Sequence, residues 1–419
     1  MRVIHTSDWH LGQHFMGKSR QAEHQAFLNW LLEQLDTEKV DVLVIAGDIF
    51  DTTTPPSYAR EQYYSFLTRT HGLGVQTIVL GGNHDAVSTL DESRQLLACL
   101  NTRVIAGRQQ HLSDHLLPLH NRDGATAGWL CALPYLRPRE MMQSQAGDSS
   151  DAKASQLKDT IATLYTDLYK EAETARADSG LPIIGTGHLT TLHSKTSESE
   201  REIYIGTLDA FPAQLFPPFD YLALGHLHRP QIVSRNECWR YSGSPLPLSF
   251  NEGLKKEVVL LDFSESATPA IRLLDIPCQR ALLSISTTLD LLEQRLEGLL
   301  PEAPLDAWLD IEILDEGYRS DLQQEIAERV KDLPVEVLKV RRGKVRQTSL
   351  LMEEEEPVTL DELSPMEVFS TRLSADDVPA AQQPALTACF REVLDSLQEQ
   401  EQQLAASADG RAVNQEVPS

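Results

Sequence analysis

The chain has 419 residues, is 41% hydrophobic and carries a formal net charge of −25. That length suits two or three domains with a sizeable core, no apolar run approaches bilayer-spanning length, and the acidic balance weighs against a broadly basic nucleic-acid coat. The five cysteines are scattered and lack a C-x-x-C spacing, so they read as free thiols of a reducing cytoplasm, with neither a disulfide frame nor a thiolate zinc site.

The first element is a short apolar strand, Arg2-Val3-Ile4-His5, and the start carries no signal-peptide pattern. It gives way to Thr6-Ser7-Asp8-Trp9-His10, which sets a carboxylate and an imidazole side by side at a sheet edge. Both are good ligands for Mn, Fe or Zn, although D-x-H alone is a weak signal. Apolar spacing through Phe27, Trp30, Leu31 and Leu35 predicts an amphipathic helix over 23–35. A β-branched run over 40–46 predicts a buried strand that ends in Gly47-Asp48-Ile49-Phe50-Asp51. There the glycine permits a tight exit, and Asp48 takes the place that Asp8 has on the first strand.

A helix follows over 57–70, with Ser57 as its expected cap after Pro55-Pro56. Its aromatic face (Tyr58, Tyr63, Tyr64, Phe66) reads as core packing or, alternatively, as a subunit contact. The strand over 75–80 ends in Gly81-Gly82-Asn83-His84-Asp85, an amide oxygen, an imidazole and a carboxylate in succession. A helix is expected over 91–100 with Leu96, Leu97 and Leu100 on one side, then short strands and turns over 103–138, a loop over 143–154 and a helix over 157–177. A strand over 181–185 leads to Thr186-Gly187-His188, and one over 221–224 leads to Gly225-His226-Leu227-His228. In H-x-H the imidazoles leave an extended segment at alternate positions, an arrangement better matched to two adjacent ions than to one. A closing strand is expected over 258–263.

Beyond about residue 276 the pattern becomes strand–helix–strand–helix–strand over 282–286, 289–299, 308–314, 321–330 and 335–340, a separate small α/β unit. Arg341, Arg342, Lys344 and Arg346 end it as a basic cluster, by default solvated, alternatively a phosphate contact. Residues 351–419 hold 15 acidic and 3 basic residues, a net −12, so nearly half of the negative excess lies in the tail. That concentration leaves DNA open as a partner, because a site ringed by carboxylates is acidic before its ions bind. The expected divisions are 1–275, a capping unit 276–346, an acidic linker 347–363 around Glu353 to Glu356, a helical element 364–405 and a disordered tail 406–419. Leu386, Phe390, Leu394 and Leu397 make a stripe that a short helical pair cannot bury alone; it folds back or docks on another chain.

Collected, the ligand-type residues are Asp8, His10, Asp48, Asn83, His188, His226 and His228, all at strand ends, whose loops converge on one crevice in an open α/β sheet. Seven N/O donors exceed what one ion needs; two ions sharing Asp48 would use them, about 3.5–4 Å apart. His84 is then placed to protonate a leaving oxygen, with Asp51 to hold its tautomer.

The set D-x-H, G-D-x-x-D, G-N-H-D, G-H and G-H-x-H resembles that of the calcineurin-like metallophosphoesterases. Thr6-Ser7-Asp8-Trp9-His10-Leu11-Gly12, Gly187-His188-Leu189-Thr190-Thr191 and Ile205-Gly206-Thr207-Leu208-Asp209-Ala210-Phe211-Pro212 are similar to the SbcD family of bacterial nuclease subunits. The resemblance implies a four-layer α/β/β/α sandwich, a small α/β cap and a C-terminal helical element that docks a partner. It implies one Mn²⁺ on Asp8, His10, Asp48 and His228, a second on Asp48, Asn83, His188 and His226, and His84 acting on the leaving group. It also implies a homodimer that works with an SbcC-like SMC-family ATPase on DNA. The expected activities are 3′-to-5′ duplex degradation and cutting of hairpins and single strands, in repair, recombination and replication at the cytoplasmic nucleoid. The family's dimer contact gives the helix around Tyr63 and Tyr64 a role. Some relatives carry His in place of Asp51. A phosphomonoesterase of the same fold, or a module that binds DNA or a partner without cutting, are the competing readings. Thr52-Thr53 after the second motif and Asp85 closing the third depart from the protein-phosphatase pattern.

Overall fold

A strand that is apolar on both faces needs cover on both sides. In the computed structural model of the chain, the apolar runs have that cover. The structure describes residues 1–141, 150–191, 210–314 and 321–343, together with positions 386, 387 and 390. In chain order come β1 (Arg2–Thr6), a hairpin of β2 (His14–Phe15) and β3 (Lys18–Ser19), α1 (Gln21–Thr37), β4 (Val42–Ala46), α2 (Ser57–Gly72) and β5 (Gln76–Leu80). Next are α3 (Val87–Asp91), α4 (Arg94–Ala98), β6 (Thr102–Ile105), β7 (Leu116–His120), β8 (Thr126–Cys131), α5 (Pro138–Met141), α6 (Ser150–Arg176), β9 (Ile183–His188) and β10 (Tyr221–Gly225). Then follow β11 (Gln231–Val233), β12 (Asn236–Tyr241), β13 (Glu257–Asp262), β14 (Ala270–Asp275), β15 (Leu282–Thr287), α7 (Leu292–Leu299), β16 (Ala307–Leu314), α8 (Leu322–Val330) and β17 (Val335–Gly343).

Two six-stranded sheets form the body, in the orders β14-β13-β1-β4-β5-β6 and β11-β12-β10-β9-β8-β7. Side chains alternate across each strand and so divide between two layers of core. Val42, Val44 and Ala46 of β4 meet Leu130, Ile184, Tyr221 and Ala223 of the other sheet, in the layer between the sheets. Leu43 and Ile45 of the same strand turn the other way, to Phe27, Leu28 and Leu31 of α1 and to Tyr63 and Phe66 of α2. Leu157, Ile161, Tyr165 and Leu168 of α6 cover the outer face of the second sheet at Leu222 and Leu224. The result is the expected α/β/β/α stack. A third sheet, β15-β16-β17, is parallel and has its own core with α7 and α8. Trp308 of β16 stacks on Phe15 of the N-terminal hairpin, with ring centroids 5.7 Å apart. Residues Met1–Val345 form one compact unit and Arg346–Ser419 a second. In the second, positions 386, 387 and 390 are helical and Leu386 is 42% exposed. No helix among the described residues is long and apolar enough to cross a membrane.

Several local expectations change. The helix expected over 91–100 shortens to α4 (Arg94–Ala98); a separate short α3 (Val87–Asp91) precedes it, and between them the Tyr64 hydroxyl lies 3.1 Å from Ser93 Oγ. Leu97 is buried but Leu96 is 66% exposed, so the leucines do not share one face. Ser57 is the first residue of α2; Pro56 holds the cap position, with no side-chain cap. Tyr63 and Phe66 lie in the protein's own core, which settles their part of the aromatic face as packing. Residues 150–154 belong to α6, a polar start of a helix whose apolar stripe begins later. Strands β11, β12 and β14 carry no long apolar run and were not expected. The segment 143–149, most of 205–212, Lys344, Arg346, the acidic run at 353–356, Leu394 and Leu397 lie outside the described residues. Arg341 is committed to Asp310 through two hydrogen bonds of 3.0 and 2.7 Å.

Two buried histidines give the fold an acid limit. His5 Nδ1 meets the Tyr221 hydroxyl between the sheets at 3.0 Å, and His24 Nε2 meets the Trp9 carbonyl at 2.9 Å. Burial pushes each imidazole down from the ordinary 6.5 to about 3. Unfolded, each takes up its proton near pH 6.5; folded, neither does so until about pH 3, so the fold loses stability as pH falls through that window. Between about pH 7 and pH 5 each should cost on the order of 2 kcal/mol. Urea unfolding of the EDTA-treated protein at both values should show His24→Asn losing about 2 kcal/mol less than wild type. That difference isolates His24 from the other titrating groups.

Candidate metal centre

Parallel strands deliver their C-terminal ends to one edge, and here two sheets bring such edges together. The first sheet supplies Asp8 and His10 after β1, Asp48 after β4, and Asn83 and His84 after β5. The second supplies His188 as the last residue of β9, and His226 and His228 just after β10. The crevice therefore lies between two facing sheets rather than along one open sheet.

The loops hold unusual backbone. Asp8 (φ 54°), His10 (φ 48°), Asp48 (φ 50°) and His226 (φ 99°) all adopt positive φ. Residues in that region cost on the order of 1–3 kcal/mol each and persist only where their surroundings fix them. The fixing bonds are present: Asp8 N–H donates to the Gly47 carbonyl at 3.0 Å, His10 N–H to the Asp48 carbonyl at 3.1 Å, and His226 N–H to Asp8 Oδ1 at 2.9 Å. Gly47 (φ 96°) is needed twice over, since a Cβ there would lie 2.2 Å from His188 Nδ1. At Gly82 a Cβ would lie 2.1 Å from Asp48 Oδ1.

Asp48 sits at the centre. Its Oδ2 is 3.6 Å from His10 Nε2 and 3.3 Å from His188 Nε2, and its Oδ1 accepts the His84 N–H at 2.8 Å. Asn83 Oδ1 is 2.9 Å from His188 Nε2 and 3.2 Å from His226 Nδ1. Three overlapping donor groups result: Asp8, His10 and His228; His10, Asp48 and His84; and Asp48, His188 and His226. In each, the donor atoms lie within 4.8 Å of one another. All seven residues expected as ligands are thus brought together. The two imidazoles of H-x-H part, His228 toward Asp8 and His226 toward Asp48; an extended strand would set residues two apart on one face, but both lie beyond β10, where the positive φ of His226 (99°) turns the chain.

The electrostatics call for cations. Asp8 and Asp48 are at most 1% exposed; the charges that most favour their ionised forms are imidazoles, and the Asp48 carboxylate opposes ionisation of Asp8. Burial pushes the Asp8 carboxyl up, against the pull of His188 and His228. Burial opposes ionisation of Asp48 too, but His188, His10 and His84 hold it well below the carboxylate range. Burial alone would lower His188; the Asp48 and Asp8 carboxylates hold it up at about 9. His226 is driven well below the imidazole range by burial and then by the His188 charge. The buried His10 ring lies between two carboxylates, Nδ1 3.3 Å from Asp51 and Nε2 3.6 Å from Asp48. Buried carboxylates, imidazole nitrogens and an amide oxygen suit hard or borderline divalent ions, Mn, Fe or Zn alike.

His84 Nδ1 is held at 2.7 Å by the main-chain carbonyl of Asp51, whereas the Asp51 carboxylate faces His10. A contact through the main chain is one that a side-chain motif does not specify. The Asp85 carboxylate does not join the donor set. It accepts the N–H groups of Gly82, Ile49 and Phe50 at 2.8, 3.1 and 3.0 Å, and so ties the third motif loop to the second. Sequence reading also passes over Ser7, whose hydroxyl reaches Asp8 Oδ2 at 2.5 Å and Ser242 Oγ at 2.9 Å, and over Glu252 and Lys256 behind His228. Ser7 adjoins a motif and was findable; the others meet the site only in three dimensions.

A family model of calcineurin-like phosphoesterases matches residues 1–230, and one described as a type 5 capsule protein repressor C-terminal domain matches residues 278–377. The SbcD subunit of the nuclease SbcCD from Escherichia coli (strain K12) is 46% identical to the chain over 401 residues, 95% of this chain and 98% of that protein. The SbcD subunit from Rhodobacter capsulatus is 37% identical over 280 residues, 64% of this chain and 68% of the relative. That of Bacillus subtilis (strain 168) is 34% identical over 268 residues, 62% of this chain and 66% of the relative.

Proposed function

Since the chain belongs to the SbcD family of SbcCD nuclease subunits, within the calcineurin-like phosphoesterases, we propose that its strand-end cluster binds two divalent ions, Mn²⁺ foremost, and hydrolyses DNA phosphodiester bonds. The observation that carries this reading is the trio of overlapping donor groups drawn from two sheets. Asp8, His10, Asp48 and His228 would hold one ion; Asp48, Asn83, His188 and His226 would hold the other. When bound, such ions lower the pKa of a water molecule and neutralise charge on the phosphate oxygens. The chain's own residues do the rest. Asp48 sets the spacing of the two halves from its central position. His84 is anchored through Nδ1 on the Asp51 carbonyl, and its imidazole would give a proton to the departing oxygen. Asp51 acts through that carbonyl and, by its carboxylate, on His10.

Exonucleolytic degradation of duplex ends in the 3′-to-5′ direction, together with cutting of hairpins and single strands, is the activity we assign to this site, at the bacterial nucleoid. Two copies of the chain would work with two copies of an SbcC-like ATPase, with 276–346 as a cap and 364–405 as the docking element. A hairpin-ended duplex, labelled at one end, tests the reading. Cuts that require Mn²⁺ and stop with EDTA, with ATP-dependent duplex degradation only when the ATPase is added, are expected. No cutting in either condition, with turnover of p-nitrophenyl phosphate instead, would replace the nuclease by a phosphomonoesterase.

A further inference from the structure

The turn between β12 and β13 buries an ion pair directly behind His228. The side chains of Glu252 and Lys256 are 0% and 2% exposed, and Glu252 Oε2 accepts from Lys256 Nζ at 2.7 Å. Glu252 Oε1 lies 3.5 Å from His228 Nδ1 and accepts from Ser249 Oγ at 3.1 Å, while Oε2 also accepts the Leu248 N–H at 3.0 Å. Lys256 Nζ donates further to the His228 carbonyl and to Ser244 Oγ, each at 2.9 Å. An ammonium has three protons, and all three have acceptors here.

A buried ion pair is a poor device for stability alone, since its desolvation roughly cancels its attraction and well-packed apolar residues often do as well. This pair does what an apolar pair could not: it addresses the ring of His228 through the carboxylate and its main chain through the ammonium. Two other site imidazoles rest on main-chain carbonyls, His188 Nδ1 on Ala46 at 2.9 Å and His84 Nδ1 on Asp51 at 2.7 Å, whereas His10 Nδ1, like His228 Nδ1, faces a carboxylate, that of Asp51 at 3.3 Å. A carboxylate behind an imidazole fixes the proton on the near nitrogen, sets the ring plane and makes the far nitrogen a stronger donor.

We propose that Glu252, restrained by Lys256, is a positioning residue that keeps the His228 proton on Nδ1 and aims Nε2 at the cation held with Asp8 and His10. The inference rests on the two-ion reading above. It predicts that loss of the Glu252 charge weakens one ion and leaves the other unchanged.

The test is Mn²⁺ titration of the EDTA-stripped full-length protein, with free Mn²⁺ followed by electron paramagnetic resonance. Wild type should bind two ions. Glu252→Gln, which keeps an acceptor but removes the charge, should weaken one of them by about 10- to 100-fold. Because Glu252→Gln leaves the Lys256 charge unmatched, the double variant Glu252→Gln/Lys256→Gln is titrated beside it. The same single-site loss in the double variant supports the positioning role. Wild-type affinity at both sites in Glu252→Gln overturns it, as does recovery of both sites in the double variant, which would trace the loss to the stranded ammonium. No Mn²⁺ bound by wild type would instead remove the two-ion reading itself.

Discussion

His84→Ala should lower the rate of phosphodiester cleavage by about 10²–10⁴-fold, the range that a positioned proton donor supplies, while the protein continues to bind its ions and DNA. The geometry separates these outcomes. The backbone N–H of His84, not its ring, donates to Asp48 Oδ1 at 2.8 Å, and alanine keeps that N–H. The ring stands edge-on to His10 with centroids 4.6 Å apart; its loss takes one member from the His10, Asp48 and His84 group and leaves the other two groups whole. Single-turnover cleavage, Mn²⁺ titration and a DNA-binding assay on the same preparation make the check. Cleavage at the wild-type rate would remove His84 from the chemistry, and loss of ions along with activity would make it a ligand rather than a proton donor.

Asp48→Asn should be more damaging, because both halves of the site lean on one carboxylate. The asparagine oxygen can still accept the His84 N–H, so the loop has a route to its present course. What disappears is the negative charge 3.3 Å from His188 Nε2 and 3.6 Å from His10 Nε2. Both ions should weaken, each by roughly a hundredfold or more, since a direct donor matters at least as much as the groups behind it. In the stripped protein the His188 value should fall from about 9, because the carboxylate that holds it up against burial is gone. Histidine NMR titration of the two stripped proteins reads this shift without any turnover. An unchanged His188, or loss of only one ion, would show that Asp48 is not shared.

How far the site could be read ahead of the structure depended on where the information lies. Asp8, Asp48 and Asn83 follow buried apolar runs that end at polar residues, and such runs mark strand ends locally. The central strands β4, β5, β9 and β10 are buried along their whole length, and β4 and β10 are continuous apolar runs, whereas β5 opens on Gln76-Thr77 and β9 runs into Gly185-Thr186-Gly187-His188. The edge strands are different. β14 is largely exposed and β11 has three residues, so neither shows a continuous apolar pattern. The α/β/β/α layering came from resemblance, because periodicity alone did not distribute the strands between two sheets. Asp51 shows a different limit: its carbonyl lies 2.7 Å from His84 Nδ1, and a main-chain contact leaves no mark in a side-chain motif. Glu252 and Lys256 follow no ligand motif, and only the return of the chain through the β12–β13 turn places them behind His228.

The split of the donors between two sheets also has a kinetic side. Asp8 and His226, joined by a direct hydrogen bond, are 218 residues apart in the chain, and His188 rests on Ala46 across 142 residues. Contacts of such high sequence separation form late, after the closure entropy of long loops has been overcome. The carboxylates of the first sheet are synthesised well before the imidazoles of the second. A nascent chain that stops before β10 therefore lacks His226 and His228, and the donor cluster is complete only once both sheets have folded against each other.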